Sequence, residues 1–311
     1  MNDHKIESAI RTPKIWAVGG GKGGVGKSLV SILIAIELAQ QNKKTILIDT
    51  DLGGANLHTL MGIKAPSRTL NDFVTRKYGT MEEICIPTTV KNLQMICGAS
   101  EILSLANPQY AQKNKIVQSL THLPAEYVVL DLGAGTSYNV LDFFLIADHP
   151  IVVVTPQPIS IQNAYGFVRN AVYRRLSRLA YQHTFLQKLI IKAMDPKNDN
   201  QMHTIPDLFA AVTQSYNSGV VDQLKSAIGK IRPWIVTNNA RDERDHNAGR
   251  IIQLVAEKYL TVNVQALGTI HFDPAIDKLV SKMVSMAELP PDSVARSDAA
   301  TLVQRLLHAS Y

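Results

Sequence analysis

Gly21-Lys22-Gly23-Gly24-Val25-Gly26-Lys27-Ser28 decides the fold. The octapeptide fits G-x-x-x-x-G-K-[ST]. It follows the apolar run Lys14–Val18 and opens the apolar-periodic stretch Lys27–Gln41, the strand–loop–helix context that a phosphate-binding loop requires. The residue types explain the chemistry. Glycines let successive backbone N–H groups turn inward around phosphate oxygens, and the positive end of the following helix dipole adds to them. Lys27 reaches the β- and γ-phosphates as a point charge, and Ser28 offers its hydroxyl to Mg2+. With Leu29 one residue further, Gly21, Lys22, Gly23, Gly24, Val25, Gly26, Lys27 and Ser28 form the expected nucleotide-binding segment, with ATP and Mg2+ as ligands.

Working outward, two more segments place acids at strand ends. The run Thr45–Ile48 leads into Asp49-Thr50-Asp51-Leu52-Gly53-Gly54-Ala55-Asn56-Leu57. Carboxylates two apart at a strand end point the same way, and buried together without a cation one of them would be protonated. Asp49 and Asp51 are therefore candidate metal-site residues, with helix capping by Asp51 the lesser alternative. Val128-Val129-Leu130-Asp131-Leu132-Gly133-Ala134-Gly135 puts Asp131 at the end of a central strand, placed to hold Mg2+ through water or to cap a helix. Gly133 and Gly135 let that loop approach the γ-phosphate, so that hydrolysis would release it.

Further strands are expected at Leu93–Ile96, Tyr127–Leu130, Ile151–Val154, Trp234–Thr237 and Ala266–Ile270. Helices are expected at Ala111–Leu123, Ser160–Ala180, Arg244–Tyr259 and Asp298–His308. Continuously apolar strands alternating with helices predict an α/β fold with a doubly wound, mostly parallel sheet flanked by helices. Residues 14–311 read as one such domain behind a polar tail, residues 1–13. Between about 173 and 230 there is helical patterning without a core strand, which reads as a helical insertion.

The composition of the 311-residue chain, 46% hydrophobic and 19% charged, excludes a disordered or fibrous protein. No secretory h-region and no run near 20 apolar residues is present, so a soluble, cytoplasmic protein is expected. Two cysteines, Cys85 and Cys97, without a Cys-x-x-Cys pair suit buried, inert thiols in a reducing compartment.

The early lysine of the loop, Lys22 in K-G-G-x-G-K-S, resembles the deviant Walker A motif of the MinD/ParA group of ATPases. That likeness implies a nucleotide-sandwich homodimer with Lys22 reaching the partner's nucleotide. It also implies that Asp51 orients the attacking water, that Asp49 supports the metal shell, and that turnover is slow until a regulatory protein raises it. Lys22, Lys27 and Asp51 become the candidate catalytic residues. The end of Ile235-Val236-Thr237-Asn238-Asn239 and the stretch Ile270-His271-Phe272-Asp273-Pro274-Ala275 resemble the group's base-binding parts, with Asn238, Asp273 and Ala275 at the base. The asparagines can also be plain turn formers.

The likeness covers roughly residues 14–172 and 231–309, and within the group it is similar to the flagellar-number regulators of the FlhG and FleN subgroup. The tail Lys5-Ile6-Glu7-Ser8-Ala9-Ile10-Arg11 lacks that subgroup's usual DQAxxLR-type motif. The last helix reads as the closing helix of the fold rather than a membrane-targeting one. The absence of Cys-x-x-Cys argues against the related iron–sulfur carriers.

The net charge of +6 has one source. From His149 to Met194 there is no Asp or Glu, while Arg169, Arg174, Arg175, Arg178, Lys188 and Lys192 lie within it. Arg174, Arg175 and Arg178 on one helix could meet DNA phosphates, acidic lipid headgroups or an acidic protein, or form a solvated face. The leading expectation is a nucleotide-switched ATPase that positions another assembly, at polar, flagellar or other machinery, with peripheral placement at the membrane or cell pole. A ParA-like ATPase binding DNA non-specifically and an ATP-dependent metabolic synthase are the alternatives.

Overall fold

A computed structural model describes residues 12–51, 54, 56–98, 110–195, 202–216 and 218–309. The strands are β1 (Lys14–Gly19), β2 (Thr45–Asp49), β3 (Ile86–Pro87), β4 (Leu93–Ile96), β5 (Tyr127–Asp131), β6 (His149–Val154), β7 (Trp234–Ala240) and β8 (Gln265–His271). The helices are α1 (Lys27–Gln40), α2 (Leu57–Leu60), α3 (Leu70–Val74), α4 (Tyr110–Leu120), α5 (Tyr138–Leu145), α6 (Pro158–Leu179), α7 (Thr184–Met194), α8 (Ile205–Ser215), α9 (Ser218–Gly229), α10 (Asn247–Leu260), α11 (Pro274–Ser281) and α12 (Val294–His308). Most of the polar tail and of the turn-rich stretch 195–200 lies outside the described residues.

The strands form one sheet in the order β3-β4-β2-β5-β1-β6-β7-β8. Every pairing is parallel except β3 with β4. The expected doubly wound α/β sheet is therefore present, and period-two alternation builds both of its faces. Ile15, Ala17, Ile46, Ile48, Val128 and Leu130 face one core, covered by α5, α6 and α10. Trp16, Val18, Leu47 and Val129 face the other, covered by α1 and α12. Short β3, with its proline, was not expected from sequence; proline tolerates such an edge position because no ladder donor is needed there. Helices α3, α5 and α11 were also not expected, each being too short for a clear period.

Between β6 and β7 the described residues form helices α6 to α9, with no strand among them. The last helix α12 buries Ala295, Ala299, Leu302, Val303 and Leu306 against the fold. Among the described residues no helix is long and apolar enough to cross a membrane. The thiols of Cys85 and Cys97 are both pushed up to about 12, by burial and by nearby Glu82 and Asp49 respectively, so neither is a thiolate near neutrality.

At the lower end of the sheet, Trp16 stands edge-on to both Tyr127 and His149. The indole of Trp234 donates to Nδ1 of His149 at 3.3 Å, so that nitrogen must carry a lone pair. Burial pulls the His149 pKa down to about 4. The unfolded chain, with an ordinary histidine pKa, binds this proton first, so stability falls as pH drops from about 6.5 towards 4. Unfolding free energies of wild type and His149→Gln should coincide in pH trend above pH 7. At pH 5 the wild type should have lost about 1.5 kcal/mol more than the variant. Parallel pH profiles would remove His149 as the cause.

Candidate functional site

The glycine-rich loop joins β1 to α1 at the carboxyl edge of the sheet, flanked by β5 and β6, where the strand order reverses. Two of its glycines have positive φ, Gly24 at 82° and Gly26 at 91°. A Cβ on Gly26 would collide with the side-chain amide of Asn238, and one on Gly21 with the carbonyl oxygen of Asn163 at the start of α6. The loop is thus clamped from both sides, which only glycine permits.

Lys27 is buried, and its ammonium donates to the carbonyl oxygen of Lys22 at 3.4 Å. Burial lowers its pKa, opposed by the charges of Asp131 and Asp51. Lys22 is exposed. One loop lysine therefore serves the interior of the site and the other faces solvent at its rim.

The parallel register sets Asp49 directly beside Asp131. Burial, then the neighbouring Asp131, pushes Asp49 up to about 7. Burial raises Asp131 to about 6 against hydrogen bonds from Ser28 and Ser31. The Ser31 hydroxyl donates to Asp131 Oδ1 at 3.0 Å, a contact not foreseen from sequence because Ser31 lies one turn beyond the motif. Asp49 also accepts from the backbone N–H of Asp51 at 3.0 Å and of Leu57 at 3.2 Å, which holds the ends of the acidic loop. Leu52, Gly53 and Ala55 lie outside the described residues. A Cβ on Gly133 would stand 3.3 Å from the Asp51 carboxyl carbon, so Asp51 and the loop after β5 pack closely.

The donors around the loop are all oxygens: the Ser28 hydroxyl and the carboxylates of Asp49, Asp51 and Asp131. That oxygen-only set fits a hard divalent cation such as Mg2+. Among the described residues no three acids, histidines or cysteines close a cage by themselves. A cation there needs Ser28, phosphate oxygens and water as well, the usual manner of holding Mg2+.

Next to the loop is an open cleft of about 710 Å3, lined among others by Gly24, Leu29, Thr155, Asn239, Arg241 and Phe272. The Arg241 guanidinium lies 4.4 Å from the Phe272 ring centroid. Phe272 lies in the stretch expected at the base, whereas Thr155 and Arg241 were not expected there; their place just past strand ends was the available signal. Asn238 and Asp273 also line the cleft, but their side chains are largely engaged. Asn238 donates one amide N–H to the Val25 carbonyl oxygen at 2.9 Å, which anchors the loop. Asp273 accepts from Ala275 N–H at 2.9 Å and from the Ser293 hydroxyl at 2.5 Å, capping α11 and tying it to α12.

The basic stretch needs a correction. Arg174 is not part of a solvated face: it makes a two-pronged ion pair with Asp142 on α5, both contacts 2.8 Å. Arg178 approaches the same carboxylate at 3.6 Å, and buried Lys113 pairs with it too. Arg169 donates to the carbonyl oxygens of Ala193 and Met194, closing the end of α7. Arg175 stays partly exposed and makes no ion pair among the described residues.

The family model described as ParA, NUBPL iron-transfer P-loop NTPase, matches residues 11–171. The antiactivator FleN of Pseudomonas aeruginosa is 25% identical over 94% of this chain and 85% of its own length. The flagellum site-determining protein YlxH of Helicobacter pylori is 32% identical over 50% of this chain and 53% of its own, so the chain aligns with about half of that relative. The septum site-determining protein MinD of Pyrococcus horikoshii, solved with Mg-ADP, shares the fold at a TM-score of 0.62. That likeness covers 94% of this chain and 96% of the other at 18% identity. With the phosphate loop, the facing strand-end acids and a matched family model over half its length, the chain belongs to the ParA/MinD family of P-loop NTPases.

Proposed function

We propose that this chain is an ATPase switch that dimerises on Mg-ATP and positions or regulates another cellular assembly, with flagellar or other polar machinery as the first candidate. The observation that carries the reading is the division of labour between the loop lysines: Lys27 is buried among carboxylates, whereas Lys22 is exposed at the rim. A buried lysine neutralises the phosphates of its own site. An exposed one can act on the nucleotide of a second copy.

In this reading the backbone N–H groups of the glycine loop and the start of α1 bind the phosphates. Mg2+, when bound, would neutralise phosphate charge, held by Ser28 directly and by Asp131 and Asp49 through water. Asp51 orients the attacking water, and its contact with Gly133 lets loss of the γ-phosphate loosen the loop after β5. Arg241, Phe272 and Leu29 shape the base cleft beside Asn238, Asp273 and Ala275. The flagellum site-determining relative YlxH supports a flagellar role, and an unidentified protein partner would set the turnover.

Light scattering tests the switch. Asp51→Ala, which retains nucleotide, is expected to double its mass with Mg-ATP but not with Mg-ADP. Adding Lys22→Ala is expected to return it to monomer. An Asp51→Ala protein that stays monomeric with saturating Mg-ATP would end the sandwich reading.

A further inference from the structure

The chain from Arg175 to Lys192 turns a corner between α6 and α7, and this corner carries an unusual surface. Four apolar side chains stand out from it: Leu179 is 48% exposed, Tyr181 80%, Phe185 51% and Ile191 64%. Apolar side chains this exposed are normal singly; four within thirteen consecutive residues call for a covering.

The cations share that surface. On α7 the core takes Leu186, Ile190 and Ala193, which leaves Phe185, Lys188, Ile191 and Lys192 on the opposite, exposed side. Arg175 comes from the last turns of α6, where Arg178 already pairs with Asp142. The corner itself is pinned, since the Gln187 amide donates to the Tyr181 carbonyl oxygen at 3.2 Å. No acid occurs from 149 to 194. Asp195 follows α7 three residues after Lys192 and borders the surface at that end. Asp207 belongs to that end as well, because its charge acts on Tyr173, whose hydroxyl donates to the Ala193 carbonyl oxygen. Among the described residues, Asp142 is the acid that pairs with cations near the corner, and Lys113, Arg174 and Arg178 already occupy it.

A convex corner with an amphipathic tyrosine at its tip, aliphatic and aromatic prongs, and lysines and arginines around them matches one partner in particular. Phosphates of a nucleic acid would use the cations but leave the prongs wet. A bilayer with anionic headgroups takes both: prongs enter the headgroup boundary while the cations meet the lipid charge. We propose that the α6–α7 corner docks this protein on an anionic membrane surface. The proposal does not depend on the ATPase reading, because the corner lies on helices outside the phosphate site.

Vesicle sedimentation of the full chain tests it, using phosphatidylcholine vesicles with and without phosphatidylglycerol. Wild type is expected to pellet only with the anionic vesicles, less so at high salt. Lys188→Glu with Lys192→Glu and Arg175→Glu should weaken that binding by about a hundredfold. Tyr181→Ser with Ile191→Ser should weaken it by about tenfold or more. Both variants should keep the wild-type melting temperature and nucleotide affinity. Absence of wild-type binding to anionic vesicles, or variants that bind as wild type does, would overturn the proposal. So would loss in the charge variant alone accompanied by wild-type retention of random-sequence duplex DNA, which assigns the surface to nucleic acid.

Discussion

Lys27→Ala is expected to lower the affinity for Mg-ATP by about a hundredfold, measured by calorimetric titration of the folded protein. The magnitude follows from two charge-assisted hydrogen bonds to phosphate oxygens, each contributing about 1.5 kcal/mol or more. Burial makes the loss larger than at a solvent-facing lysine. The ammonium is already dehydrated and its pKa already lowered, so the site carries that cost before the ligand arrives. Removing the cation also withdraws its attraction on Asp131, whose pKa should rise further above about 6. Lys27→Arg should not rescue binding, since a planar guanidinium does not fit a buried cradle formed around a point charge. An affinity for Mg-ATP within about threefold of wild type would remove Lys27 from the phosphate site.

Asp142→Ala is expected to destabilise the protein by about 3–5 kcal/mol in urea unfolding, the cost of breaking a buried ion pair by removing one partner. Lys113 and Asp142 are both buried, and the Arg174 fork satisfies the second side of the carboxylate. Deleting the carboxylate leaves the Lys113 ammonium in the core without its charge partner. The Arg174 side chain also stacks on Tyr138, 4.3 Å from the ring centroid, and part of that contact should loosen. Asp142→Ala combined with Lys113→Met should recover most of the loss, because a methionine needs no counter-charge. The same network fastens α5, which starts just beyond Gly133 and Gly135, to α4 and α6. A change below about 1 kcal/mol in the single variant would show that the pair is solvated in solution.

The Asp142 network was invisible in the chain read residue by residue. Arg174, Arg175 and Arg178 stand together in the sequence, but their counter-ion lies 32 residues before Arg174. The acid-free span is real; three of its cations are simply spent on Asp142 and on the end of α7. Distance along the chain hides a partner of the acids as well. The pattern Asp49-x-Asp51 sets those two carboxylates against each other, yet the strongest charge acting on Asp49 is Asp131, brought beside it by the β2–β5 register. Asn238 shows it again, since its amide is used on a carbonyl 213 residues earlier.

What could be read without the fold has a common physical origin. Strands β1, β2, β4, β5 and β6 announce themselves because parallel strands buried on both faces must be apolar throughout. The phosphate loop announces itself because its chemistry lies in a continuous stretch of backbone, with glycines where φ is positive and a helix dipole directly behind. Element type and the phosphate cradle were therefore written in local sequence. Tertiary packing decided which carboxylate each cation meets, which amide holds the loop, and which side chains the α6–α7 corner leaves uncovered. Those choices depend on strand register and helix packing between distant segments, and no local period encodes them.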